Sequence, residues 1–255
     1  MRRIVVKVGS AVLTQDGEIA LERMQTLVDF LSELKQENEV ILVSSGAIAG
    51  GYTKLKLDRT LLANKQALAA IGQPVLLKKY DKKFKKHGII IAQVLVTAGN
   101  FNRDEEILKV RNSINTLIDN GVIPIVNEND ATATDELELG DNDQLSAYIT
   151  KYTDSDMLII LSDIDAYYDS DPRSNENAKV LKTINSIDPA ELAKEVTPNN
   201  VFATGGIVTK LKAASYLLNS NIDMFLASGF DLSDVKSFAL KNNHDGGTLF
   251  TRAKK

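Results

Sequence analysis

Short, almost unbroken apolar runs, separated by longer stretches of helical spacing, constrain this chain more than any other feature. Ile4–Val8, Val40–Val43, Ile89–Val96, Val122–Val126, Met157–Leu161 and Ile222–Leu226 each read as a strand, with Thr248–Phe250 as a short last one. Between the first two, Leu21–Gln36 sets Leu21, Met24, Leu27, Val28, Leu31 and Leu34 on one helical face. Thr60–Lys86, Asp104–Asn120, Asp143–Lys151, Gly206–Asn219 and Leu232–Leu240 repeat the helical pattern, and Pro74 is expected to kink or divide the first of these. A strand buried on both faces loses the polar alternation of a half-exposed one, which is the mark of a parallel sheet covered by helices. The expected fold class is α/β, with a mainly parallel central sheet between helical layers.

In such sheets, ligands bind beyond the carboxyl ends of the strands. The segments after Val8, Val43, Val126 and Leu161 are polar or glycine-rich, and a parallel arrangement brings all four to one edge. Composition removes several chemistries. The chain has no cysteine, so disulfides, thiolate nucleophiles and Cys-ligated metals are excluded. A net charge of -4 on 255 residues gives no reason to expect a nucleic-acid partner. The N-terminal apolar run is interrupted by Lys7, and no run is long enough to span a bilayer, so the expected setting is cytoplasmic with no membrane partner. The six lysines of Lys78–Lys86 read as the solvated end of a helix, favourable to its dipole. His87 and His244 each lie beside a turn signal and are expected at the surface.

Five segments could carry chemistry. In KVGS, Lys7 lies within an apolar strand; it is either an edge lysine reaching solvent or the partner of an anion. VSSGAIAGG, residues 43–51, is either a tight strand-to-helix turn or a helix start whose N–H groups meet an anion. NENDATATDELELGDNDQLSA, residues 127–147, gathers Asp130, Asp141 and Asn142, whose acceptor oxygens suit an ammonium group. Within it, Glu136 and Glu138 alternate with leucines and read as the wet face of a small hairpin. Calcium-loop spacing is absent. LSD places Asp163 at a strand end, where it either caps a turn or orients a lysine or a phosphate-bound magnesium. ATGGIVTK, residues 203–210, puts a glycine pair and Lys210 at a helix start, a way to cradle phosphates that is not a Walker A motif. The dinucleotide fingerprint is missing too.

Together, and in this order, KVGSAVLT, VSSGAIAGG, PIVNENDATAT with GDNDQLSA, DPRSN, ATGGIVTK and GTLF resemble the amino acid kinase family, over nearly the whole chain. The pair NEND and GDND resembles the signature of its glutamate-phosphorylating branch. The resemblance implies a three-layer α/β/α sandwich and a reaction in which ATP and L-glutamate give ADP and γ-glutamyl phosphate, the first step of proline synthesis. It implies one domain over residues 1–255, the part to about residue 150 binding glutamate and the rest ATP. Many members continue into a PUA domain; none is expected within this sequence, which ends just after Gly247-Thr248-Leu249-Phe250.

Carried across by position, Lys7 and Lys210 would contact the transferring phosphoryl group, and Asp163 would hold the two lysines in place. Ser45, Asp130 and Asn142 would bind glutamate, with Gly46 and Asp141 close by. Lys7, Gly9, Ser162, Asp163 and the run Thr204, Gly205, Gly206, Ile207, Val208, Thr209 and Lys210 would line the ATP site, with Mg2+ carried mainly by the phosphates. The resemblance also implies a homo-oligomer, dimer or tetramer, and proline as feedback inhibitor. A labile acyl phosphate product suggests coupling to glutamate-5-semialdehyde dehydrogenase. The rivals are kinases of the same fold acting on acetylglutamate, aspartate, carbamate or UMP, and a non-catalytic sensor of glutamate or proline.

Overall fold

Apolar runs without alternation predict a mainly parallel sheet, and most of the strands pair that way. The computed structural model describes residues 1–132, 142–172, 174–193 and 206–252. Along the chain these form β1 (Arg2–Val8), α1 (Ser10–Leu13), β2 (Thr14–Gln15), β3 (Glu18–Ile19), α2 (Leu21–Leu34), β4 (Asn38–Ser44), α3 (Ala47–Tyr52) and α4 (Leu62–Phe84). Then come β5 (Ile91–Val96), α5 (Asp104–Asp119), β6 (Ile123–Glu128), α6 (Asn142–Tyr152), β7 (Met157–Ser162), β8 (Thr183–Ile184) and α7 (Pro189–Leu192). The last are α8 (Ile207–Leu218), β9 (Asp223–Ser228), α9 (Ser233–Lys241) and β10 (Thr248–Phe250). The large sheet runs β5-β6-β4-β1-β7-β9-β10-β8, and β2 pairs with β3 as a separate hairpin. Every neighbouring pair in the large sheet is parallel except β10 with β9.

β1 lies between β4 and β7, with Val8 level with Ser44 and Leu161. Val43 is level with Val126 on β6. The four polar segments expected to converge therefore start side by side on one sheet edge. Side-chain alternation divides β1 between the two layers. Ile4, Val6 and Val8 pack with Met24, Leu27 and Leu31 of α2, Tyr80 and Phe84 of α4, and Val235 of α9. Val5 packs on the other side with Ile114 of α5, Leu145 and Ile149 of α6, and Leu211 and Leu217 of α8. Lys7 shares the parity of Val5, so its side chain belongs to the layer of α6 and α8. Burying one large apolar side chain contributes about 1.5–3 kcal/mol, and Tyr80, Phe84 and Phe225 are all fully buried.

Two expectations change. Pro74 does not divide its helix: α4 runs unbroken through it. Proline removes the bond to the carbonyl four residues back, but Pro74 and Ala70 are both exposed, so water can take that acceptor. His244 is not on the open surface. It is half-buried, edge-on to Phe225 and Phe238. The hairpin expected over residues 131–139 lies, from residue 133 on, outside the described residues. The small elements α1, β2, β3, α3, α7 and β8 are too short for periodicity to reveal.

α3 and α4 touch backbone to backbone. A Cβ added at Gly51 would overlap the carbonyl of Leu68, and one added at Gly72 would overlap that of Ala47. The small residues of the 43–51 segment thus serve a helix crossing as well as a turn. Gly46, at φ +102°, takes the left-handed conformation that starts α3. No helix among the described residues is long and apolar enough to cross a membrane.

Candidate active site

Two lysines from opposite ends of the sequence meet one buried carboxylate. Lys7 Nζ lies 2.5 Å from Asp143 Oδ1, and Lys210 Nζ lies 3.1 Å from Asp143 Oδ2. Lys7 and Lys210 are each 2% exposed and Asp143 is 0% exposed. β1 supplies Lys7, while the first turns of α6 and α8 supply Asp143 and Lys210. Thr209, next to Lys210, brings its hydroxyl 2.8 Å from Asp143 Oδ2 and 2.9 Å from the Gly206 carbonyl. Burial by itself would raise the Asp143 carboxyl, but the charges of Lys7 and Lys210 beside it prevail and hold it well below the usual carboxylate range. Two ammonium groups thus meet one carboxylate at the carboxyl edge of the sheet.

This corrects one expectation. The carboxylate between the lysines is Asp143, not Asp163. Asp163 is exposed at the end of β7, where it accepts a hydrogen bond from Ser162 Oγ at 2.9 Å. A lysine ammonium buried away from water needs a carboxylate that is buried with it. An exposed strand-end residue cannot meet that need, and a helix residue facing the sheet can. Asp143 is the last residue of the GDND motif, directly after Asn142. A signal was available: Asp143, Ser146, Ala147 and Thr150 form one helical stripe of short side chains, and all four are buried.

Beside the trio lies a cleft of about 460 Å³. Its lining includes Ser10, Ser45, Gly46, Asn127, Glu128, Asp130 and Asn142, with Arg59 and Lys65. The structure therefore gathers Ser45, Gly46, Asp130 and Asn142 around one space. Asn142 immediately precedes Asp143, so the cleft borders the lysine trio. Its Nδ2 lies 2.8 Å from Ser45 Oγ, 3.0 Å from Asn127 Oδ1 and 3.2 Å from the Ser44 carbonyl. Asn127 was not among the expected residues. It continues β6 past the apolar run, is 3% exposed, and its Nδ2 has no hydrogen-bond partner. Leaving such a donor buried and unmet costs about 1–3 kcal/mol, which suits a group that awaits a ligand atom. A polar residue directly after a buried strand was the signal that could have found it.

On the other side of β1, Gly9 N donates to the Leu161 carbonyl at 3.0 Å, and a Cβ there would lie 3.9 Å from Lys7 Nζ. Gly229 N donates to the Ser162 carbonyl at 2.7 Å, joining the ends of β7 and β9. Gly206 precedes α8, and Ile207, Val208 and Thr209 form its first turn with Lys210. Asp141, Thr204 and Gly205 lie outside the described residues. Among the described residues, no group of three or more His, Asp or Glu side chains gathers to suit a metal ion.

The model of the amino acid kinase family matches residues 2–228. Glutamate 5-kinase of Wolinella succinogenes is 51% identical, with 99% of this chain and 98% of that protein covered. Glutamate 5-kinase of Leishmania donovani is 48% identical, with 98% and 95% covered. Among solved structures, the isopentenyl phosphate kinase of T. acidophilum superposes with a TM-score of 0.67 at 17% identity, covering 97% of this chain and 99% of that one, which speaks for the shared fold. The chain belongs to the amino acid kinase family, in the branch that holds these glutamate 5-kinases.

Proposed function

We propose that the protein transfers the γ-phosphoryl group of ATP to the side-chain carboxylate of L-glutamate, giving L-glutamyl 5-phosphate on the way to proline. The observation that carries this is the buried trio of Lys7, Asp143 and Lys210 bordering a cleft that presents both acceptors and donors. A carboxylate is already an anion at neutral pH, so no general base is needed. The obstacle is bringing it up to a polyanion. Lys7 and Lys210, held rigid by Asp143, neutralise charge on the transferring group as it builds, and preorganised charges of this kind need no reorganisation during the reaction. Positioning the carboxylate in line supplies the rest.

In this reading Ser45, Asn127 and Asn142 orient the acceptor, and Asp130 meets its ammonium group. Ser162 and the start of α8 meet the nucleotide phosphates. Mg2+ enters with those phosphates and adds positive charge there. Asp163, freed of the lysines, is the exposed carboxylate at that edge. The amino-terminal part, to about residue 150, then holds glutamate and the rest ATP, with Lys7 crossing between them. A cytoplasmic, oligomeric enzyme restrained by proline and followed by glutamate-5-semialdehyde dehydrogenase is consistent with a labile acyl phosphate product. The test is ATP, magnesium and glutamate with hydroxylamine, which traps an acyl phosphate as a hydroxamate. Glutamate-dependent hydroxamate supports the proposal; glutamate binding with no turnover overturns it in favour of a sensor.

A further inference from the structure

The cleft holds two cations that the reaction as described does not use. Arg59 and Lys65 both line it, on the wall formed by the segment that joins α3 to α4 and by the start of α4. Among the described residues neither forms an ion pair with a carboxylate, in contrast to Lys7 and Lys210, which both meet Asp143. Glu128 and Asp130 line the same space. The cleft therefore offers both signs of charge.

Arg59 is held in place. Its guanidinium carbon lies 4.5 Å from the centre of the Tyr52 ring, and Lys56 Nζ lies 4.1 Å from the same ring. That ring also meets the β2–β3 hairpin, since a Cβ on Gly17 would lie 3.8 Å from it. Lys56 pairs with Glu18 of the hairpin at 3.9 Å. On the other flank, Asp58 Oδ1 accepts from Thr60 N at 2.9 Å and from Thr60 Oγ1 at 2.8 Å, while the Asp58 carbonyl accepts from Asn64 Nδ2 at 2.9 Å. Arg59 thus projects from a pinned turn, its guanidinium over a ring and its side chain part of the cleft wall. A guanidinium so placed suits bidentate capture of a carboxylate.

Glutamate carries three charged groups. The trio serves the side-chain carboxylate, and Asp130 the ammonium. The α-carboxylate still needs a cation. We propose that Arg59, assisted by Lys65, binds the substrate's α-carboxylate and so distinguishes α-amino dicarboxylates from ω-amino monocarboxylates. This rests on the glutamate reading above. Arg59 acts on binding and not on phosphoryl transfer, so its loss moves KM and not kcat.

The test compares wild type with Arg59→Ala, Arg59→Lys and Lys65→Ala, using the hydroxamate assay with glutamate, and with 4-aminobutyrate as a competing ligand. The latter is glutamate without its α-carboxylate. Arg59→Ala is expected to raise the KM for glutamate about tenfold or more, since charge-assisted hydrogen bonds are lost, with kcat within about twofold. Arg59→Lys keeps part of the affinity, and Lys65→Ala shows a smaller rise. Inhibition by 4-aminobutyrate stays at the wild-type level in all three. An active wild type whose glutamate KM is unmoved by Arg59→Ala overturns the subsite alone. Equal weakening of glutamate and 4-aminobutyrate also overturns it, because that is the signature of a disturbed cleft. A wild type that forms no hydroxamate overturns the substrate reading and the subsite with it.

Discussion

Lys7 Nζ and Asp143 Oδ1 lie 2.5 Å apart where water does not reach. One stands near the end of the first strand and the other in the first turn of α6. Removing two charges from water costs several kcal/mol per ion, so the pair persists only because its geometry is tight and Lys210 and Thr209 complete it. The arrangement fixes an ammonium group at the sheet edge, where a phosphoryl group must be met.

The lysines should matter to rate more than to binding. Lys7→Ala and Lys210→Ala are each expected to lower kcat by about 10²–10³, read as initial hydroxamate formation, with circular dichroism showing a folded chain. Turnover near wild type in either variant would remove that lysine from the chemistry.

Asp143 and Asp163 should separate sharply. Asp143→Ala leaves two ammonium groups buried without their shared carboxylate, a loss of about 3–5 kcal/mol. Asp163→Ala changes an exposed residue, so stability should shift by less than about 0.5 kcal/mol, while the KM for ATP rises. Denaturant unfolding decides between them. Equal destabilisation by the two variants would contradict the placement of Asp143.

Acid should reveal the same carboxylate. Burial opposes its charge, yet Lys7 and Lys210 depress its folded value below the unfolded one. A depressed acid contributes stability in full above its unfolded value, about pH 3.9, and loses it as pH falls through the folded one. The stability difference between wild type and Asp143→Asn should therefore hold steady from about pH 7 to about pH 5, then shrink below about pH 4. A gap that instead widens as pH falls would show that the carboxyl is raised.

The helix crossing next to the cleft should tolerate no added methyl. Gly51→Ala and Gly72→Ala each place a Cβ against backbone and should cost about 1–3 kcal/mol or more. Both should also raise the KM for glutamate, because α3 begins at Gly46 in the cleft wall. Gly99→Ala is the control, since its Cβ would come no nearer than 3.6 Å to Thr97 Oγ1. Thermal melting that ranks Gly99→Ala with the other two would dismiss the crossing as the cause.

Much of this protein is readable without coordinates. Apolar runs such as Met157–Leu161 and helical faces such as that of Leu27, Leu31 and Leu34 report their own burial through local spacing, so the layers and the parallel sheet follow from pattern alone. Asp130 and Asn142 could be nominated because polar residues after buried strands collect at one edge once the strands are parallel, and Ser45 and Gly46 because their segment resembles that of the amino acid kinases. The expectation failed where the decisive quantity was a meeting between distant side chains. Pro74 looked like a break, but its exposure on α4 made the missing bond harmless.

The sequence by itself determined the fold class, the family and the edge of the sheet where the chemistry collects, because each rests on local periodicity or on ordered motifs. Only the tertiary structure decided which carboxylate holds the lysines and which cations enter the cleft. The physical reason is desolvation: a charge's partner is the group buried with it, and neighbours in the chain, such as Asn142 and Asp143, can face different surroundings.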